Sequence, residues 1–203
     1  MSRYTAPRLR ALRAVGVDLP GLTRKKSGRR PYPPGQHGMK RRKLSEFGLR
    51  LLEKQKLRLH HGITEGQLVN SMREAQSGKG NTGERLVEFL ERRLDNVVFR
   101  AGFARSIPAA RQLVNHGHVL VNERRVDIAS FRVDKGQTVS VRQKSRGIPA
   151  IAASFADALA FPTPWLQVDA EKLTVRMLER PASSSVPFPL NVQKVIEFYS
   201  QRI

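Results

Sequence analysis

Thirteen lysines and arginines crowd the first 43 residues against a single acid, Asp18, and this block constrains the fold more than any other feature. A one-sided run of that density repels itself and reads as an interaction arm. Pro7, the step Pro20 to Gly21, Gly28, Pro31 and the PPGQHG run at 33–38 break any helical period; two adjacent prolines fix φ and exclude helix. Residues 1–43 are therefore expected to bury too little apolar surface to order alone and to become ordered on a partner. On the charge pattern, Arg3, Arg8, Arg10, Arg13, Lys25, Lys26, Arg29, Arg30, Lys40, Arg41, Arg42 and Lys43 are candidates for phosphate contact.

The whole chain carries a formal charge of +20 over 203 residues, yet 39% of it is hydrophobic, which is enough for a real core. A folded, strongly basic protein has a polyanion as its default partner. Residues 94–146 hold the second excess, 10 basic residues against 4 acids. The absence of cysteine excludes disulfides, thiolate zinc sites, iron–sulfur ligation and a cysteine nucleophile. No apolar run approaches the roughly 20 residues that span a bilayer. The arginines near the N-terminus have no apolar stretch behind them, so no secretory signal is read there, and a soluble intracellular chain is expected.

Residues 44–101 read as helices. Ser45 is an N-cap candidate, with Glu46 and Arg50 as an i,i+4 pair and Leu44, Phe47 and Leu51 on one face. Gly62 can end that helix, and Thr64 with Gln67 forms a capping box ahead of Leu68, Met72 and Ala75. Leu86, Leu90, Leu94, Val97 and Ala101 then give one amphipathic stripe that reads as core. His60 and His61 read as helix-end or surface residues, and Trp165 as core.

After Gly102 the elements shorten. Ser106 can cap a helix with Pro108 in its first turn, Ala110, Leu113 and Val114 inward and Gly117 at its C′ position. Arg105, Arg111, Gln112 and Asn115 lie on its polar side, followed by His116, His118, Asn122, Arg124 and Arg125 on the turn and strand. A helix N-terminus with arginines beside it suits phosphate, and guanidinium forks suit the shape of RNA. A strand at 118–121, a turn at Asn122–Glu123, a β-like stretch at 131–133 and alternating Val139 and Val141 follow; residues 147–166 are weakly specified, Leu173, Val175 and Met177 alternate as a strand, and Val195, Ile196 and Tyr199 sit in a short closing helix.

The runs RLDNVVFRAGFAR at 93–105, ARQLVNHGH at 110–118, VN at 121–122 and VDI at 126–128 resemble the αL RNA-binding motif. More specifically they are similar to its version in the small-subunit ribosomal protein four family, of bacterial or plastid type. MSRY at 1–4, PGLT at 20–23, PPGQHG at 33–38, EKQKLR at 53–58 and EFYS at 197–200 resemble the same family, so the likeness runs end to end. It implies an α+β fold: a helical N-terminal domain, an inserted αL-type RNA-binding domain of two short helices and a small β-sheet, and a C-terminal segment returning to the helices. The boundaries read as a basic RNA-binding arm at 1–43, a helical domain at 44–93 completed by about 170–203, an αL domain at 94–155 and a linker at 156–169.

The resemblance further implies a structural component of the small ribosomal subunit, not an enzyme. It would bind 16S-type rRNA directly at a multi-helix junction of the 5′ domain, nucleate assembly of the subunit body and contribute to translational accuracy. Its neighbours would be other small-subunit proteins, notably the fifth, in a cytoplasmic ribosome or one of the plastid stroma. Carried over by position, Arg105, Ser106, Arg111, Gln112, His116, Gly117, His118 and Asn122 line the RNA face of the αL domain. Arg3, Arg8, Arg10 and the loop with Gly35, Gln36, His37 and Gly38 belong to the N-terminal contact. Some relatives bind zinc there through four cysteines; none is present here, so no metal or other cofactor is carried over, and no membrane or small-molecule substrate is implied.

Two rivals stand beside this reading. αL motifs also decorate pseudouridine synthases, where an aspartate attacks the base, but only 57 residues follow position 146 and Asp127, Asp157 and Asp169 lack partners for a catalytic constellation. A stand-alone RNA-binding factor with one αL module leaves the helical half and the PPGQHG loop unexplained.

Overall fold

The computed structural model describes residues 4–28, 30–40, 43–156 and 163–200. Two compact units divide the chain: residues 1–86 with 186–203, and residues 87–185. Among the described residues no helix is long and apolar enough to cross a membrane.

The first unit is helical. Helix α1 (Arg8–Val15) buries Ala11, Leu12 and Val15 and ends on Gly16 in the left-handed conformation. Helix α2 (Glu46–His61) starts where the Ser45 hydroxyl accepts from the Gly48 amide and stops at left-handed Gly62. Helix α3 (Glu65–Ser77) opens on the reciprocal Thr64–Gln67 capping box, both bonds present. Helix α8 (Val192–Ser200) packs on α2: Phe47 meets Phe198 at 5.7 Å between ring centroids, and Arg50 donates to Glu197 at 2.9 Å. Arg50 thus pairs across the sequence and not with Glu46. Leu44 and Phe47 remain largely exposed, at the edge of the core.

The N-terminal segment is more ordered than its charge suggests. Leu12, Val15, Leu19 and Leu22 are all buried. The Gly21 amide donates to His60 Nδ1 at 3.3 Å, and Asp18 accepts from the Ser27 amide and hydroxyl at 3.0 and 2.8 Å. Four apolar side chains and one acid suffice to fold residues 8–27 back on the helices, so this stretch does not wait for a partner to order it. His60 and His61 are correspondingly buried, not surface residues; His60 lies 4.6 Å from the Phe188 ring.

Helix α4 (Thr82–Glu91) leads from the first unit into the second, and the apolar stripe that reads as one helix breaks there. Helix α5 (Leu94–Arg100) begins afresh because the backbone at 92–95 bonds to a distant segment. Leu94 and Asp95 amides donate to the carbonyls of Phe131 and Ala129, Val133 donates to Arg92, and Arg93 bridges Arg132. The β-like stretch at 131–133 is this bridge, not a strand. Helix α6 (Ile107–Asn115) follows, with Ala110 and Val114 fully buried.

The sheet of this unit has the order β2-β1-β3-β5-β4, all antiparallel: β1 (Val119–Val121), β2 (Arg124–Arg125), β3 (Thr138–Val141), β4 (Leu166–Asp169) and β5 (Thr174–Met177). Val119 and Val121 face the core opposite Val141 and Val139, and the alternating Leu120 and Ser140 turn away. Helix α7 (Pro149–Ala156) supplies Ile151 to the core, which Trp165 joins. Residues 163–169 and 174–185 therefore belong with the αL unit, not to a linker or the helical domain. β4 and β5 complete its sheet, and that pairing was hidden from a reading confined to local pattern.

Candidate nucleic-acid interface

Helix α6 enters from Ser106, whose extended φ and ψ are those of an N-cap, with proline in the first turn. Its side chain makes no capping hydrogen bond and is buried, so what this end offers to a ligand is backbone N–H and dipole, not a serine hydroxyl. The exit is closed by Gly117 at φ 72°; Gly117 and His118 amides bond back to Val114 and Leu113. A Cβ at Gly117 would lie 2.2 Å from Arg125 Nε, so the Arg125 side chain crosses directly over the glycine. The left-handed φ is what calls for glycine here; the exposed Arg125 side chain could swing aside.

That crossing gathers a basic cluster. The rings of His116 and His118 are 6.0 Å apart, and His118 Nδ1 bonds the Ser145 hydroxyl at 2.9 Å. The Arg142 amide donates to the His118 carbonyl at 2.8 Å, which brings the exposed Arg142, Lys144 and Arg146 beside the end of α6. These three cations were not singled out in the sequence. Their signal was available in the RQKSR run at 142–146, three cations in five residues. Asn122 and Glu123 take left-handed φ of 45° and 66°, forming the two-residue turn between β1 and β2 that presents exposed Arg124 and Arg125. The Asn122 side chain is exposed but occupied, accepting from the Thr138 amide at 2.9 Å.

Arg111 differs from the expectation. It is not an exposed cation on the polar side of α6, because its Nε and Nη2 donate to Asp95 at 3.1 and 2.6 Å. Asp95 is 1% exposed and also accepts from Arg93 at 3.1 and 2.8 Å. A buried carboxylate must be paired, and an arginine one turn inside a neighbouring helix is the group that can reach it. Arg105, Gln112 and His116 are exposed and Asn115 half-buried.

In the first unit Arg8, Arg10, Lys25, Lys26, Arg30, Lys40 and Lys43 are exposed, as are Gly35, Gln36 and His37. Gly38 closes the PPGQHG loop so tightly that a Cβ would sit 2.0 Å from the Pro33 carbonyl oxygen. Arg13 is half-buried and turned onto that loop. Arg3, Arg29, Arg41 and Arg42 lie outside the described residues.

Comparison with known proteins matches residues 3–91 to the ribosomal protein S4/S9 N-terminal domain and residues 92–139 to the S4 domain. The chain is 49% identical over 205 residues to small ribosomal subunit protein uS4 of Methylobacillus flagellatus, all of both chains being covered. The chain belongs to the uS4 family. It is also 47% identical to uS4B of Nitrosomonas europaea and 48% identical to uS4 of Synechococcus sp. strain CC9311, again over all of each chain. The uS4 family is one of structural ribosomal proteins and not of enzymes. The S4 domain match covers the αL-like stretch, and the α+β architecture is the one that resemblance implied.

Proposed function

We propose that this uS4 protein binds small-subunit, 16S-type rRNA directly through two basic faces. One is the end of α6 with the β1–β2 turn and the 142–146 segment; the other is the N-terminal segment with its PPGQHG loop. The observation that carries this reading is the cluster of Arg125, His116, His118 and Arg142 held together at the Gly117 turn, with Lys144 and Arg146 exposed beside it. Such a group offers several phosphate-directed donors on a rigid backbone. Exposed Arg105 just before α6, Gln112 on α6 and Arg124 on β2 extend the first face; Arg8, Arg10, Lys25, Lys26, Arg30, Lys40 and Lys43 supply the second.

A protein that contacts a multi-helix junction through two basic faces nucleates assembly of the subunit body by fixing how the helices cross. Its neighbours in the subunit include the fifth small-subunit protein, at a contact through which it influences translational accuracy. Its location is the ribosome, in the cytoplasm or, if organelle-encoded, in the plastid stroma. The test is a chemical footprint of the purified protein on naked small-subunit rRNA. Protection of a multi-helix junction is expected; conversion or protection of one isolated uridine would overturn this reading in favour of an RNA-modifying activity.

A further inference from the structure

Within the N-terminal RNA face, Arg13 stands apart from the other cations. Its Nε donates to the Tyr32 carbonyl at 3.0 Å, its Nη2 donates to the Pro33 carbonyl at 3.3 Å, and its guanidinium lies over the Tyr32 ring, 5.0 Å from the centroid. Arg8 and Arg10, on the same helix, are exposed. The loop it touches is short of ways to hold itself. Pro31, Pro33 and Pro34 carry no N–H, so no ladder can form there. The backbone bonds within the loop and at its exit are Gly38 to Gly35 at 3.1 Å and Lys40 to His37 at 3.1 Å, both on its C-terminal side. The carbonyls on its N-terminal side find their donor in the side chain of Arg13.

We infer that Arg13 is a positioning residue, a clamp that fixes the 31–38 loop on helix α1 in the RNA-binding shape, and not one of the phosphate-neutralising cations. The Pro33 carbonyl is the pivot. It receives Arg13 from one side, and Gly38 closes against it from the other. Whatever sets the position of Pro33 sets that of Gly35, Gln36 and His37, which are exposed and free to face RNA. A planar fork that reaches two carbonyls and also stacks on a ring is a task for guanidinium, which a lysine ammonium cannot reproduce. Helix α1 itself is held by Ala11, Leu12 and Val15, so the clamp acts on the loop and not on the fold.

The inference rests on the RNA-binding reading above, and the test separates the two. Arg13→Ala and Arg13→Lys are compared with the unaltered chain, first without RNA, by hydrogen exchange at the Gly38 amide, which donates to Gly35 within the loop. Both variants should exchange faster there with the melting temperature nearly unchanged. Affinity for naked small-subunit rRNA should then fall roughly tenfold or more in both, since the lysine keeps charge but loses the fork. In a cycle with the double loop variant Gln36→Ala, His37→Ala, loss of Arg13 should add little, because its effect passes through the loop. Arg13→Lys binding within about twofold of the unaltered chain, or full additivity in the cycle, overturns the clamp. Unchanged exchange at the Gly38 amide also overturns it. Should the unaltered chain fail to protect the junction, the RNA-binding reading falls, while the exchange measurement still decides whether Arg13 holds the loop. If Arg13→Ala does not fold, Arg13→Lys carries every arm of the comparison.

Discussion

Replacing Arg111 by alanine distinguishes a structural arginine from an RNA-contacting one, and the structure gives the size of the effect. Two charge-assisted bonds to one oxygen of Asp95 disappear, at 3.1 and 2.6 Å. Asp95 is not orphaned, because Arg93 keeps both of its bonds and the Asn96 amide still donates at 3.0 Å. The cost is therefore below the roughly 3–5 kcal/mol of leaving a buried charge alone. It should be about 1.5–3 kcal/mol, the worth of hydrogen bonds to a charged group. At about 2–4 °C per kcal/mol for a chain of this size, the melting temperature falls by several degrees. Arg111→Lys recovers part of the loss, since an ammonium reaches the carboxylate with one donor where the fork used two. The loss should persist at high salt, because a pair this buried is weakly screened. The assay is thermal and urea unfolding of the three proteins, with rRNA affinity measured at low and high salt. An unchanged melting temperature together with weaker, less salt-dependent binding would refute the reasoning and make Arg111 a phosphate contact.

The exposed lysines carry the opposite expectation. Changing Lys25, Lys26, Lys40 and Lys43 together to glutamine should lower the salt slope of rRNA binding by roughly 0.7–0.9 for each that meets a phosphate, with stability held within roughly 0.5 kcal/mol; an unchanged slope removes them from the interface. Glu65 provides a pH test: burial pushes its carboxyl up, but hydrogen bonds from Lys54 and Tyr199 and the charges of Lys54 and Arg58 outweigh that and hold it below its ordinary value. A depressed carboxyl stabilises the fold above its unfolded pKa and stops doing so as pH falls through the folded value, so the stability difference between the unaltered chain and Glu65→Gln should shrink below about pH 4 in urea unfolding. A difference that grows on acidification contradicts that sign.

Local signals were legible. The Thr64–Gln67 capping box, the Ser45 cap, Gly62 and the Gly117 turn all depend on residues within a few positions of one another, and each forms as read. Where distant backbone decides, the pattern misleads. The stripe from Leu86 to Ala101 keeps its apolar period through 92–93, yet the helix breaks there because residues 129–133 bond to the exposed amides and carbonyl. Strand β4 is a four-residue element whose partner β5 follows a short turn and then pairs with β3, a register invisible until the sheet exists. The N-terminal segment was misjudged for a different reason. Leu12, Val15, Leu19 and Leu22 are sparse among thirteen cations, but burial counts apolar area and not composition. At the candidate site, charge pattern could not say which arginines are already engaged, as Arg111 is with Asp95.

That last distinction bears on how a basic surface is made. Between residues 87 and 100 the acids are Glu88, Glu91 and Asp95, and each is bonded to guanidinium. Arg92 donates to Glu88 at 2.9 Å, Arg100 to Glu91 at 2.9 Å, and Arg93 with Arg111 to Asp95. The last two carboxylates are buried, at 0% and 1% exposure. A carboxylate on the surface of this unit would repel an approaching phosphate; a carboxylate bonded inside it cannot, because its field is cancelled within a few ångströms. The paired arginines neutralise those acids inside the unit. Glu123, by contrast, stands exposed beside Arg124 on the β1–β2 turn of the candidate face. Net charge alone does not express this, since a buried pair adds nothing to the sum. The positive potential of the face depends as much on where the acids are hidden as on how many cations are displayed.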